Sequence, residues 1–186
     1  MYKKMREYSH EEFVNLVMEL DEEELLELSS NYGGYPVLFR MALDERICHI
    51  PFIQTGAAVI VRNELGEVLL QQRSDNGRWG LPGGCQELGE RFKDTIIREV
   101  KEETNLDVDE KDLELIDIVS GKTRRNSYPN GDVVINNTAL YCIKKYNGEL
   151  KWNEESKEMR FFDLNNLPEN QNDPDLIEIY KEYKKK

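Results

Sequence analysis

Apolar positions change their period along the chain, and each change marks an element. Phe13, Leu16, Val17 and Leu20 recur at helical spacing behind Ser9 and Glu12, the two ends of a capping box, which predicts a first helix. Asp21 and Glu24 offer the start of a second short helix holding Leu25, Leu26 and Leu28, broken by Gly33 and Gly34. From Thr55 the runs become short and β-rich. Ala57 to Val61 and Val68 to Gln72, joined by the turn Asn63-Glu64-Leu65-Gly66, predict a hairpin. A Gly/Pro-rich loop from Gly77 to Gly89 leads into a helix ending near Thr104, and Leu113 to Val119 follows as a strand. Val133 to Ile143, after the turn signal Asn130-Gly131, and Arg160 to Leu164 complete the strands. Asp173 before Pro174 starts a last helix, whose negative end suits Lys181, Lys184, Lys185 and Lys186.

Strands and helices in this order favour an α/β architecture with a mixed sheet. Residues 1 to 48 read as a helical N-terminal extension that packs on the main domain or on a second subunit, and residues 49 to 186 as the main domain. The chain has 186 residues, 39% of them hydrophobic, which suffices for one packed core. No apolar run approaches the roughly 18 residues that span a bilayer, and the charged start Met1 to Arg6 is not followed by a signal-type segment. The expectation is a cytoplasmic protein with no membrane partner.

Charge and residue usage narrow the chemistry. A formal net charge of -12 argues against broad binding to nucleic acid and would repel a phosphorylated substrate unless cations intervene. Cys48, Cys85 and Cys142 are odd in number and form no CxxC pair, so neither a disulfide framework nor a zinc cage is indicated. With His10 and His49 outside any constellation, histidine-based nucleophilic or zinc chemistry is disfavoured. The carboxylates are the remaining carriers of chemistry.

Glu99, Glu102 and Glu103 stand at i, i+3 and i+4 of the helical segment, within an arc of about 100°. Ile96, Ile97, Val100 and Thr104 occupy the adjacent arc, which would bury against the sheet and hold the acidic face at its border. Unpartnered like charges at this spacing cost only about 0.2 to 0.5 kcal/mol per pair, so an ordinary solvated helix face would look the same in isolation. The flanking residues distinguish the two. Gly84 is followed after five residues by Glu90, and that after seven by Arg98-Glu99, then Val100, Glu102-Glu103 and Leu106.

This segment, Gly84 to Leu106, resembles the Nudix box and matches every specified position but one. Asn105 replaces the usual glycine, and Asn is the next residue best able to take the left-handed conformation at a helix end. The resemblance extends over residues 53 to 165, through Val68-Leu69-Leu70-Gln71-Gln72-Arg73 and Trp79-Gly80-Leu81-Pro82-Gly83-Gly84. It implies a Nudix-like α/β/α sandwich and a hydrolase that splits the phosphoanhydride bond of a nucleoside diphosphate linked to another group, a nucleotide sugar or a nucleoside di- or triphosphate. It also implies Mg2+, or Mn2+, held by Glu99, Glu102 and Glu103, with the Gly83 carbonyl as an additional ligand.

By the same resemblance Glu90 supports the loop and helix, and Arg98 orients Glu102 or Glu103. Glu103 or Glu99 serves as general base, unless a later loop supplies it, where Glu155 and Glu158 are the candidates. Lys122, Arg124, Arg125, Arg73 and Arg78 are candidates for contacts to substrate phosphates, although a solvated basic loop is the commoner explanation of any one of them. Trp79 or Tyr128 could stack on a base, and Cys85 receives no role. Leu106 to Tyr128 contains no proline, so the mark of ADP-ribose hydrolases does not transfer. A homodimer is common among such folds. The alternative is a Nudix-fold nucleotide-binding regulator with little catalysis, which would more readily have lost one of the three glutamates.

Overall fold

The computed structural model describes residues 9–20, 24, 52–127 and 133–185. The second short helix, of which Glu24 alone is described, and Gly33, Gly34, Cys48, His49, Tyr128 and Asn130-Gly131 lie outside them. The chain divides into two compact units. One holds Thr55–Gln86, Glu90–Ser120 and Asn137–Lys186; the other holds Met1–Gln54, Glu87–Gly89 and Gly121–Asn136.

In the second of these, α1 (His10–Glu19) has the predicted cap. Ser9 Oγ accepts the Glu12 N–H at 3.2 Å, and the Glu12 carboxylate accepts the Ser9 N–H at 2.8 Å. Lys122–Arg124 forms a single 3-10 turn leading into β6 (Arg125–Ser127). That strand pairs antiparallel with the start of β7 (Val133–Ile143), Arg125 facing Ile135.

The larger unit carries the sheets. β1 (Phe52–Ile60), β4 (Gly83–Cys85), β5 (Leu113–Val119) and β7 run in the order β4-β1-β7-β5. A second sheet orders β3 (Trp79–Gly80), β2 (Val68–Arg73) and β8 (Ser156–Phe162) as β3-β2-β8. The expected hairpin is therefore only a corner. Asn63 Oδ1 accepts the N–H groups of Leu65 and Glu67 to close the turn, and Arg62 bridges Val68, but beyond that β1 and β2 enter different sheets. The glycine-rich loop is likewise more ordered than its composition predicts, because β3 and β4 are strands within it.

Strand period two sorts side chains onto two faces. Ala57, Val59, Val61, Leu69, Ala139 and Tyr141 join a core with Ile96 and Val100 of α2 (Phe92–Thr104). Ala58, Ile60, Val68, Leu70 and Leu140 join another with Leu176, Ile177 and Tyr180 of α3 (Pro174–Tyr183). Helix, sheet, helix is the α/β/α sandwich that the resemblance implied. Each fully buried aliphatic side chain contributes about 1.5–3 kcal/mol on leaving water, so both helices are fixed to the sheets. Asp173 and Pro174 open α3 as predicted. Trp79 is 8% exposed, seated edge-on to Phe162 at 4.9 Å. It is a core residue, and its ring is not presented for stacking on a base.

Candidate active site

α2 presents its acidic arc to the β4 loop because Ile96 and Val100 anchor the neighbouring arc in the core. At its C-terminus Asn105 takes φ 61°, ψ 7°, donating its N–H to the Lys101 carbonyl, and its side-chain amide donates to the Glu149 carbonyl at 3.1 Å. The missing glycine is thus replaced by a residue that completes the turn.

The three glutamates sit in three environments. Glu103 is 3% exposed; its Oε1 accepts Gln71 Nε2–H at 2.9 Å and its Oε2 accepts the Gly83 N–H at 2.8 Å. Burial pushes its pKa up to about 7, opposed by those two donors and reinforced by Glu99 and Glu155. Glu99 lies against the Cα of Gly84, where any Cβ would fall within its carboxylate. Burial raises its pKa as well, against the pull of Arg98 and with the repulsion of Glu102 and Glu155. Glu102 is the outermost, its side chain 55% exposed.

Arg98 ties Glu99 and Glu102 to Glu90. Its Nε donates to Glu90 at 2.7 Å, Nη1 to Glu99 at 2.8 Å and to Glu102 at 3.3 Å, and Nη2 to the Cys85 carbonyl at 3.0 Å. Glu90 raises the Arg98 pKa further, so the guanidinium stays charged. Of the two expected partners Arg98 reaches Glu102 and not Glu103, because Glu103 faces β2 and the Gly83 amide instead. Glu90 also accepts Thr95 Oγ–H at 2.7 Å, tying the loop before α2 to its first turn.

With Arg98 bridging Glu99 and Glu102, no ready-made group of three metal-holding side chains occurs among the described residues. The donor set nevertheless suits a hard cation. It consists of carboxylate oxygens, burial disfavours ionisation of two of the groups, and imidazole and thiolate are lacking from it.

Of the two late glutamates, Glu155 acts electrostatically on both Glu99 and Glu103, whereas Glu158 pairs with Arg160 at 3.7 Å. The Glu155 loop is pinned by Ser74, whose N–H donates to the Glu155 carbonyl at 2.7 Å, and by Asn153, whose amide donates to the Glu102 carbonyl at 3.2 Å. Arg73 pairs in bidentate fashion with Asp75 at 3.0 Å. Arg78 is exposed; Lys122 and Arg125 are exposed while Arg124 between them is buried, all three in the other unit. Gln71 is the site residue that sequence reasoning passed over. Strand alternation from Leu69 would have turned it inward, toward α2.

A family model described as NUDIX domain matches residues 53–183. An ADP-ribose pyrophosphatase of Methanocaldococcus jannaschii is 38% identical over 105 residues, which is 55% of this chain and 57% of that protein. A putative 8-oxo-dGTP diphosphatase of Bacillus subtilis is 47% identical over 49 residues, 26% of this chain and 33% of that one. The chain thus spans about half or less of the length of these relatives. Among solved structures, a MutT NUDIX hydrolase from Burkholderia pseudomallei shares the fold at TM-score 0.57 and 22% identity, over 68% of this chain and 96% of that one. A Mutator MutT protein from Bacillus halodurans does so at TM-score 0.55 and 26% identity, over 69% and 80%. No described helix is long and apolar enough to cross a membrane.

Proposed function

This chain belongs to the Nudix family, and on that premise we propose that it is a metal-dependent pyrophosphohydrolase acting on a nucleoside diphosphate joined to a further group. The observation that carries the reading is the pair of desolvated carboxylates, Glu99 and Glu103, held against the Gly83–Gly84 loop within reach of the charge on Glu155. Burial disfavours the charged form of both, and a metal cation beside them would favour it.

Glu99, Glu102 and Glu103, with the Gly83 carbonyl, are the residues proposed to hold Mg2+ or Mn2+. Bound there, the ion would neutralise the diphosphate and lower the pKa of an attacking water. The rest is done by the chain. Arg98 fixes the direction of Glu99 and Glu102, Glu90 holds Arg98, and the Gly83 amide holds Glu103. Glu103, Glu99 or Glu155 takes the proton of the water. ADP-ribose, the compound in the name of the M. jannaschii relative, is the first substrate to try.

A second reading, a nucleotide-binding regulator with little catalysis, draws on the occupation of Glu99 and Glu102 by Arg98. One experiment separates them. Nucleotide sugars, dinucleotides and nucleoside triphosphates are incubated with Mg2+ or Mn2+, and products are identified by chromatography. Release of nucleoside monophosphate by the wild type, and its loss in a folded Glu103→Gln variant, is the expected result. Tight nucleotide binding without turnover across the panel would promote the regulator, and unchanged turnover in Glu103→Gln would remove that residue from the mechanism.

A further inference from the structure

Gln71 is 1% exposed and Ser156 6% exposed, yet both are polar and neither belongs to the acidic helix. They form a chain of two hydrogen bonds. Ser156 Oγ–H donates to Gln71 Oε1 at 2.6 Å, and Gln71 Nε2–H donates to Glu103 Oε1 at 2.9 Å. Packing alone does not call for an amide here. An aliphatic residue would fill the space under α2 as Leu69 does two positions earlier, without the cost of burying an amide. An amide earns its place only if both ends are matched, and they are.

The polarity of the chain is fixed from one end. As an ionised carboxylate, the form that would hold a cation, Glu103 takes the Gly83 N–H on one oxygen and faces Gln71 as an acceptor on the other, so it admits only the NH2 end of the amide. Oε1 is then turned away, and a hydroxyl, which can donate or accept, closes the chain as donor. Two donors from β2 and β4 hold the Glu103 carboxyl in one plane, where either donor alone would leave it free to swing. Ser156 lies at the end of the Glu155 loop, facing Arg73 across a β-bulge, and the N–H and hydroxyl of Ser74 grip the Glu155 and Glu154 carbonyls at 2.7 Å each. The same strand end therefore sets both Glu103 and the loop that bears Glu155.

We propose that Gln71, oriented by Ser156, is a positioning residue that fixes the Glu103 carboxylate for cation binding. The inference rests on the reading that Glu103 serves a divalent metal. Partners of metal ligands of this kind are worth about 10–100-fold in affinity or activity.

The test measures Mn2+ affinity by electron paramagnetic resonance in the intact chain, alongside kcat and KM for Mg2+-dependent hydrolysis of ADP-ribose. Gln71→Met keeps the volume and removes both polar ends. It is expected to weaken Mn2+ binding about 10–100-fold and to lower kcat with KM for the nucleotide little changed. Ser156→Ala is expected to shift affinity in the same direction by less, and Ser156→Thr, which keeps the hydroxyl, to restore it. Because Ser156 acts through Gln71, the double variant is expected to bind Mn2+ no worse than Gln71→Met alone. Unaltered Mn2+ affinity in a folded Gln71→Met, or fully additive losses in the double variant, overturns the relay. If Gln71→Met does not fold, the Ala and Thr variants at 156 decide, and equal affinities there overturn it. A wild type that binds Mn2+ and hydrolyses nothing sinks the hydrolase reading while the relay stands or falls on affinity; a wild type that binds no Mn2+ overturns both.

Discussion

Gly83 and Gly84 are adjacent, but alanine at each is expected to fail for a different reason. A Cβ on Gly84 would lie 2.5 Å from Cδ of Glu99 and 2.9 Å from its Oε2, with nothing of the backbone among its nearest neighbours. Ordinary carbon contacts lie at about 3.5–4.0 Å, so the Glu99 carboxyl must retreat by about 1 Å. Glu99 then leaves the arc it shares with Glu102 and Glu103 and strains its 2.8 Å bond from Arg98, which retains Glu90 and the Cys85 carbonyl. A displacement of about 1 Å at a reacting group costs on the order of 100-fold in rate, or about 2.7 kcal/mol of barrier. The loss in stability should be about 1 kcal/mol, the scale of one modest hydrogen bond, equivalent to roughly 2–4 °C in a domain of this size.

Gly83 is the opposite case. It stands at φ +140°, and a Cβ there would collide with the Ala57 carbonyl and lie 2.8 Å from the Ala58 Cα, both in the backbone of β1. β1 is an interior strand of its sheet and has nowhere to move. Backbone strain of about 1–3 kcal/mol adds to the overpacking, so Gly83→Ala should lose several kcal/mol and fold poorly. The assay pairs thermal unfolding of the metal-free variants with nucleoside monophosphate release from ADP-ribose under Mg2+. Gly84→Ala is expected to be folded and nearly inactive. Full activity in Gly84→Ala, or an unfolding midpoint as low as that of Gly83→Ala, would refute the argument that this glycine exists to admit a carboxylate.

Glu103 carries a second prediction. Its folded pKa of about 7 lies above the ordinary carboxylate value, so between about pH 4.5 and 7 the folded state holds the proton that the unfolded state releases. Metal-free stability should therefore fall as pH rises through that window, by at most about 3 kcal/mol, and Glu103→Gln should flatten the dependence in urea titrations at a series of pH values. An equal slope in the variant would assign the effect elsewhere. At the C-terminus of α2, Asn105→Ala should lose about 1–2 kcal/mol in the same titrations, from left-handed strain and the lost bond to Glu149, while Asn105→Gly should stay within about 1 kcal/mol of wild type. Equal midpoints for the two would show that φ at this position is not what the side chain serves.

What the sequence made legible is what local periodicity encodes. Glu99, Glu102 and Glu103 share an arc because a helix turns 100° per residue, and that arc borders the core because Ile96 and Val100 fill the next one. Asn105 and Asp173-Pro174 were legible for the same reason, since caps are local chemistry. Contacts across the chain were not. Gln71 and Gln72 are adjacent and identical in type. One is buried beneath Glu103, while the other is half-buried and donates to the Gly77 carbonyl at 3.1 Å. Which of them faces α2 follows from strand alternation, but that an acid 32 residues away would meet it depends on how β2 and α2 dock.

Arg98 shows the same boundary. Its place beside Glu99 and one turn from Glu102 was readable, so its ion pair with Glu102 was foreseeable. That its Nε would be taken by Glu90 and its Nη2 by the Cys85 carbonyl depended on the path of the loop from β4 back to the helix. That path is set by Gly83, which lets β4 lie on β1 where a side chain would hold it off, and by Gly84, which leaves room for the Glu99 carboxylate. The acidic arc is therefore assembled by two unlike rules. The helix period fixes which carboxylates stand together, and two glycines fix how closely the backbone and the guanidinium approach them.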